Sequence, residues 1–506
     1  MTATTTAAAT GQADAAGTGG PAGGRHPARW AILAVVCVAQ LVVVLDNTVL
    51  NVAIPSLSRS LDADTADVQW MVNAYSLVQA GLLLAAGAAA DRYGRRRLLL
   101  AGLAVFGTGS LAAGLAQSTG QLIAARAGMG VGGALLATTT LAVVLQVFDA
   151  AERSRAIGVW AAVSALGFAA GPPIGGLLLA HFWWGALFLV NLPVVLIGLV
   201  AVRALVPESK DPGEGRPDLL GAALSTLGMA ALVYAITAGP QDGWGSARVL
   251  GPAVLGALLL AGFVRWQRRI RHPMLDLEFF RDRRFVGAVT GVLLITFGSA
   301  GGLFLLTQQL QFVRGYSALE AGLRMAPFAL GVVLLNFTGL AARLLSRLGR
   351  PLAIAVGMAL LAAGFGVVAV LDTAGYPALL LGLLLMGSGC ALANPAIVES
   401  VLAAIPPHKA GAGAGIDGAM AELGAGLGVA VLGAVLNARF SALLPAALAG
   451  AGSLPEALAA HTQADRTAAL HAFARGAETA QLVGAAAVLT GGCLAAVLLR
   501  RADRSS

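Results

Sequence analysis

Gly87-Ala88-Ala89-Ala90-Asp91-Arg92-Tyr93-Gly94-Arg95-Arg96-Arg97 is a charge-dense run between two long apolar stretches, and part of it returns later in the chain. Arg92-Tyr93-Gly94-Arg95 recurs loosely as Arg347-Leu348-Gly349-Arg350, an offset of 255 residues. The apolar runs that open at Trp30 and Phe285 are separated by the same offset, so a block of helices is duplicated in parallel. The spacing therefore decides the architecture before any single residue is interpreted. Parallel repeats related by an axis along the membrane normal are a transporter plan, with the ligand near the midplane between them.

Composition agrees with that plan. Of 506 residues 58% are hydrophobic and 11% charged, with mean hydropathy +0.80, against about 25% charged in a soluble domain. Apolar runs of about 20 residues predict fourteen membrane helices. Six fall in a first half, residues 30–204, two in an insert, 218–266, and six in a second half, 285–499. The sixth is expected over 184–204, the tenth over 321–342 and the last over 477–499, leaving 438–478 as an external stretch of mixed polarity that could form a short hairpin or a surface helix. Residues 1–29 read as a disordered cytoplasmic tail and 500–506 as a second cytoplasmic tail. With both termini on one side, that side takes 25 of the 33 Lys and Arg and the other takes seven, Arg126 lying inside a helix. The positive-inside rule puts both termini in the cytoplasm. The net charge of +8 is thus topological and does not imply nucleic acid.

Within the first run, Leu45-Asp46-Asn47-Thr48-Val49-Leu50-Asn51-Val52-Ala53-Ile54-Pro55 puts an acid past mid-membrane, roughly 24 Å along the helix at about 1.5 Å per residue. A charge at a helix centre costs about 2.5 to 3.5 kcal/mol unless it is paired, protonated or faces a cavity. Function is the default reading of such an acid. The bland one satisfies it locally through Asn47, Thr48 or Asn51. Arg126, near the outer end of the fourth helix, sits at a similar depth and is the natural partner, although it could instead snorkel to the headgroups. Further intramembrane acids are Glu399, Asp417 and Glu422. The last two are five residues apart, about 140° around a helix, so they do not face one point squarely.

The loop at 87–97 resembles the signature cytoplasmic loop of the major facilitator superfamily, matching at Gly87, Asp91, Arg92, Gly94, Arg95 and Arg96. Leu45 to Pro55 looks like the first-helix signature of its fourteen-helix drug:proton antiporters, the QacA/EmrB type, and Arg126-Ala127-Gly128-Met129-Gly130 like their fourth-helix motif, with Met129 where a Gln is usual. Gly167-Phe168-Ala169-Ala170-Gly171-Pro172-Pro173-Ile174-Gly175-Gly176 is similar to the fifth-helix antiporter motif, and the stretch after Glu422 to the acid-bearing thirteenth helix. The resemblance implies an all-α major facilitator fold with two parallel six-helix halves and two inserted helices. It implies proton coupling at Asp46, Arg126 and Glu422, and conformational gating at Gly87, Asp91, Arg92, Gly94, Arg95, Gly171 and Pro172.

For substrate contact the candidates are Asn73, Tyr75 and Gln79 on the second helix, Trp160, Gln308 and Gln309, Asn336, Asn394, Glu399, Asp417 and Glu422, with Trp70 and Phe168 as further aromatics. Aromatic faces attract cations, and apolar walls with few polar groups suit varied lipophiles. Many of these residues serve equally well as packing or interfacial groups. Gly128-Met129-Gly130-Val131-Gly132-Gly133 matches GxGxxG in form only, because no strand precedes it, and no GxxxxGK[ST] occurs. No cofactor is expected, and the proton gradient is left as the energy source. Cys37, Cys390 and Cys493 sit in separate apolar runs, giving neither a CxxC site nor a disulfide framework, and the six histidines suggest no metal.

The expectation is therefore a transporter, not an enzyme. It should sit in a bacterial cytoplasmic membrane and export lipophilic, often cationic compounds in exchange for protons. Its partners would be the lipid bilayer, small lipophilic substrates and protons, with no nucleotide and no nucleic acid. A dedicated exporter of one endogenous metabolite or antibiotic fits the same residues, and a non-transporting receptor is the reading from another class.

Overall fold

The structure is a computed structural model that describes residues 27–503 apart from 62–64, 211–217, 272, 274, 276, 371–374, 407–409, 446–447, 449–453 and 459–461. Within the helices some side chains, among them those of Asn47, Asn51, Phe168 and Pro172, also lie outside the described set. The tail expected over 1–29 lies outside it up to His26, as do 504–506.

Regular structure among the described residues is helical throughout, as a lipid-embedded chain requires when every backbone donor must find its acceptor internally. The first half runs α1 (Arg29–Leu61), α2 (Thr65–Tyr93), α3 (Arg95–Gly114), α4 (Thr119–Val147) and α5 (Ala150–His181). Its sixth crossing is built from α6 (Ala186–Leu189) and α7 (Asn191–Leu205). The insert supplies α8 (Leu219–Asp242) and α9 (Ala247–Gln267). The second half has α10 (Arg283–Gln308), running into a π-helical turn at Gln309–Val313, then α11 (Ala318–Phe337), α12 (Leu340–Leu348), α13 (Arg350–Val370), α14 (Tyr376–Ala403), α15 (Ala410–Leu443), α16 (Leu454–Leu458) and α17 (Gln463–Asp503). Among the described residues thirteen spans are long and apolar enough to cross a membrane, and α5, at 32 residues, is a further helix of membrane length.

Two expectations change. The tenth crossing stops at Phe337 rather than 342, because Gly339 adopts φ 71° and breaks the helix; the amphipathic α12 follows as a separate nine-residue element. The stretch 438–478 is largely helical: α15 continues to Leu443, α16 covers Leu454–Leu458, and α17 begins at Gln463, so the last helix is 41 residues long and starts well before 477. Residues such as Thr467, His471 and Arg475 look loop-like by hydropathy, yet helix geometry needs no apolar run where the chain clears the bilayer.

Each half has its own apolar core, one around Phe106, Met129 and Phe188, the other around Phe285, Phe365 and Phe440. Leu196, Ile197 and Val200 of α7 are 63%, 67% and 71% exposed, which marks the surface that faces lipid. The halves meet along two seams, α2 against α15 and α5 against α11 and α14. Close contacts on both seams cluster toward the end that carries Arg92–Arg97 and Arg343–Arg350, called here the basic end. The inserted α8 packs on α2 and α15 together, so the insert flanks the first seam; Trp70 stacks on Tyr234 there, with ring centroids 6.0 Å apart.

Candidate functional site

Asp46 is 5% exposed and Arg126 1%. Arg126 Nη1 donates to Asp46 Oδ2 in a direct ion pair. The depth argument thus places the two side by side; Arg126 Nε also donates to the Met71 carbonyl at 3.2 Å, and its guanidinium lies 4.5 Å from the centroid of the Tyr75 ring. Asn191 Nδ2 is 3.4 Å from Asp46 Oδ1 and 3.3 Å from Ser110 Oγ. Five helices, α1, α2, α3, α4 and α7, converge on one buried charge pair, and all belong to the first half. Thr48 does not satisfy the acid, since its hydroxyl donates to the Val44 and Leu45 carbonyls at 3.2 and 3.1 Å; the side chains of Asn47 and Asn51 lie outside the described residues. Glycines make the convergence possible: a Cβ at Gly130 would stand 2.6 Å from the Tyr75 carbonyl oxygen. Gln79 is buried one turn from Tyr75, beside Gly133 of α4. Asn73 is half-buried on the same helix.

The loop that opened the sequence reading forms the first seam. Asp91, 1% exposed, accepts hydrogen bonds from the backbone amides of Gly411 and Ala412, each at 2.8 Å, and from Arg95 Nη2 at 2.8 Å. An acid on α2 therefore caps the positive N-terminus of α15 across the two halves. Gly87 is needed one turn earlier, because a Cβ there would collide with the Gly411 carbonyl. Gly94 has φ 107°, which frees the chain to turn straight into α3. Arg92 stacks on Tyr93, 5.3 Å to the centroid.

The second seam uses different groups. Ser154 Oγ of α5 donates to Glu399 Oε1 of α14, and Arg350 Nε lies 3.7 Å from Glu399 Oε2. Gly158 of α5 meets the Asn336 amide, whose Nδ2 donates to Val332 at 2.9 Å. Glu399 and Asn336, named above as substrate candidates, are therefore interlocking residues between the halves in this state. Gly171 packs on Thr48 in the α1–α5 contact, leaving no room for a Cβ; Pro172 is helical, and its side chain is outside the described residues.

Asp417 and Glu422, half-buried on α15, make no ion pair or hydrogen bond among the described residues, and Asp417 Oδ1 is a buried acceptor without a partner. Asp46 is turned into its own half, where its carboxylate accepts from Arg126 and stands 3.4 Å from Asn191 Nδ2, while α15, which carries Glu422, packs on α10, α2 and α17. Gln309 is also elsewhere, bonded to Gln481 inside the second half. Trp160 has a buried Nε1 without a hydrogen-bond partner, and Gln308 and Asn394 are half-buried.

Sequence reasoning did not single out Asn191, Ser110, Ser154, Arg350 or Gln481. Arg350 had a signal, being the repeat of Arg95; Asn191, Ser110 and Gln481 are neutral residues among apolar ones and Ser154 is a neutral residue between Arg153 and Arg155, so none bears a charge cost that marks it until a partner is seen.

Residues 36–429 match the Major Facilitator Superfamily. The chain belongs to that family. It is 38% identical over 401 residues to Multidrug resistance protein Stp of Mycobacterium tuberculosis, covering 79% of this chain and 74% of that one. It is 37% identical over 425 residues to Methyl viologen resistance protein SmvA of Salmonella typhimurium, covering 83% and 85%. Among solved structures, the human organic anion transporter MFSD10 superposes with TM-score 0.62 at 19% identity over 93% of this chain and 100% of that one, a likeness of fold. The protein is a multi-pass membrane transporter.

Proposed function

We propose that the protein exports lipophilic, predominantly cationic compounds across the bacterial cytoplasmic membrane in exchange for protons, with both termini in the cytoplasm. The observation that carries this reading is the division of acids: Asp46 is held by Arg126 inside one half, while Asp417 and Glu422 of the other half have no basic partner among the described residues. Names of relatives that confer resistance to multiple drugs and to the dication methyl viologen support it.

The exchange follows from electrostatics. A proton delivered to Asp46 removes the negative charge that holds Arg126, and among the described residues the guanidinium is then retained by the Met71 carbonyl and the Tyr75 face. Weakening that pair loosens α1 against α4 and biases the halves toward another arrangement. Asp417 and Glu422 offer negative charge in an apolar wall, where a cation replaces water at lower cost than an anion would. The close contacts between the halves at the basic end support access from the opposite end in this state. By the charge asymmetry the basic end is cytoplasmic, so the state is one that releases substrate outward and takes up protons.

The test is drug-stimulated proton release from proteoliposomes holding an imposed pH gradient. Ethidium or methyl viologen added on the cytoplasmic face should collapse the gradient in a saturable way. Ligand binding without any proton movement would replace the antiporter reading with a receptor. Release stimulated by one compound in a broad panel would mark a dedicated exporter.

A further inference from the structure

At the end of the second half opposite the basic loops, α10, α13 and α17 enclose a cavity of ≈ 670 Å³ whose described lining comes only from that half. It is separate from the seams and from Asp46. Its inner wall holds two buried amides: Gln481 is 1% exposed and Gln309 5%, and Gln481 Nε2 donates to Gln309 Oε1 at 3.1 Å. Gln481 Oε1 is buried and accepts no hydrogen bond among the described residues. An amide acceptor left so is an uncompensated cost, and a partner from outside the chain removes it.

The local structure has been bent to make this wall. Gln309 opens a π-helical turn, Gln309–Val313, of the kind that inserts an extra residue and re-aims side chains at sites of function. On α17 the positions 467, 471, 474, 478 and 481 recur every three to four residues, so they form one stripe along the cavity. That stripe is graded. Gln481 is at the floor, Glu478 is above it with its carboxylate 2.9 Å from Arg475, and both of these charged groups reach the mouth, the Glu478 side chain 33% exposed and Arg475 73%. Across from it stand Val313, Val368 and Val370. One side of the cavity thus offers a carbonyl acceptor and a carboxylate that Arg475 pairs at the mouth, with His471 on the same stripe, and the other an apolar strip at the level where the helix leaves the membrane.

We infer that this cavity binds a primary-ammonium amphiphile, its N–H groups donated to Gln481 Oε1 and Glu478 and its chain laid on the valine wall. The ligand class can be supplied by the headgroup of an aminophospholipid or by a free alkylammonium compound. The site is independent of the exchange mechanism above, and its test reads binding, not transport.

The full-length protein is purified and titrated with phosphatidylethanolamine or phosphatidylcholine, bound lipid being counted by native mass spectrometry. These lipids share phosphate, net charge and chains, and differ in whether the nitrogen has a hydrogen to donate. Phosphatidylethanolamine is expected to bind about tenfold tighter, equivalent to ~1.4 kcal/mol. In a parallel arm dodecylammonium is compared with dodecyltrimethylammonium; a preference confined to this pair assigns the site to free amphiphiles, and a preference in the lipid pair assigns it to the bilayer. Gln481→Leu should abolish either preference while the thermal melt remains cooperative. Glu478→Gln, at the partly exposed mouth where folding is not at stake, should weaken binding of the ammonium member several-fold. Equal binding within both pairs, or a preference unchanged by both substitutions, overturns the proposal and leaves the cavity to water.

Discussion

The acids of the two halves are handled in opposite ways. Asp46 has an arginine, an asparagine and the packing of five helices to itself, whereas Asp417 and Glu422 stand half-buried on α15 with no bonded partner among the described residues. An acid with a resident cation is stable in apolar surroundings when charged, and its occupancy by a proton is coupled to the position of that cation. An acid without one is unfinished until a ligand arrives. Under the exchange proposed above, the difference would suit one half to sensing protons and the other to recognising charge.

The sharpest way to break the comparison is Asp46→Asn. Removing the charge strands Arg126 in the first half, and breaking a buried pair by deleting one partner costs about 3 to 5 kcal/mol. Uphill export should be abolished, with the folded protein still in the membrane by size-exclusion profile. Normal accumulation gradients in that variant would dismiss Asp46 from coupling. Next in size is Glu422→Gln. Export of cationic dyes should fall by roughly 1 to 3 kcal/mol of lost charge interaction, while neutral lipophiles are spared. Equal losses for cations and neutral compounds would move Glu422 to the proton path or the fold.

A third effect concerns the seams that hold both sets of acids in register. Asp91→Asn keeps the side chain's size but removes the charge that caps α15 and clasps Arg95. Helix-terminal charge interactions are worth about 0.3 to 2 kcal/mol, so turnover should slow by up to about thirtyfold while dye affinity changes little. A lost affinity at unchanged turnover in a fluorescence titration would contradict the closing role.

Much of this was legible beforehand, for definite reasons. Apolar length, the 255-residue repeat and the arginine asymmetry encode the bundle, because a bilayer leaves the backbone no alternative to helices. Asp46 and Arg126 could be paired on paper since each is costly alone at the same depth. The breaks at Gly339 and the helical course of 454–458 and 463–477 could not, because outside the bilayer hydropathy stops reporting on helix. Asn191 and Gln481 were hidden for a different reason: neutral polar residues in a membrane helix carry no visible cost until the partner across the bundle is known. Asn336 and Glu399 read as ligand contacts from sequence, and only the fit of Gly158 and Ser154 against them shows that they interlock the halves.

The smallest expected effect separates the two unpartnered acids from each other. Asp417 lies between Gly415 and Gly418, both of which touch Leu83 of α2, so it sits at the upper edge of the first seam. Glu422 is more than a turn farther along, next to Gly424, which touches Thr296 and Leu293 of α10. At 3.6 residues per turn the two carboxyls point about 140° apart, and a bound cation meets one of them squarely. If Glu422 is that one, Asp417 contributes field at a distance. Over about 8 Å an intervening charge in a partly wet protein, at an effective dielectric near 20, is worth roughly 2 kcal/mol before solvent screening and a good deal less after it. Asp417→Asn is therefore expected to lower the affinity for monovalent dyes by about two- to threefold, and to lower it more for a dication, whose second charge reaches toward the seam. Binding isotherms for ethidium and methyl viologen on the two single variants settle it: a larger loss in Asp417→Asn than in Glu422→Gln for both ligands would reverse the assignment of the two acids.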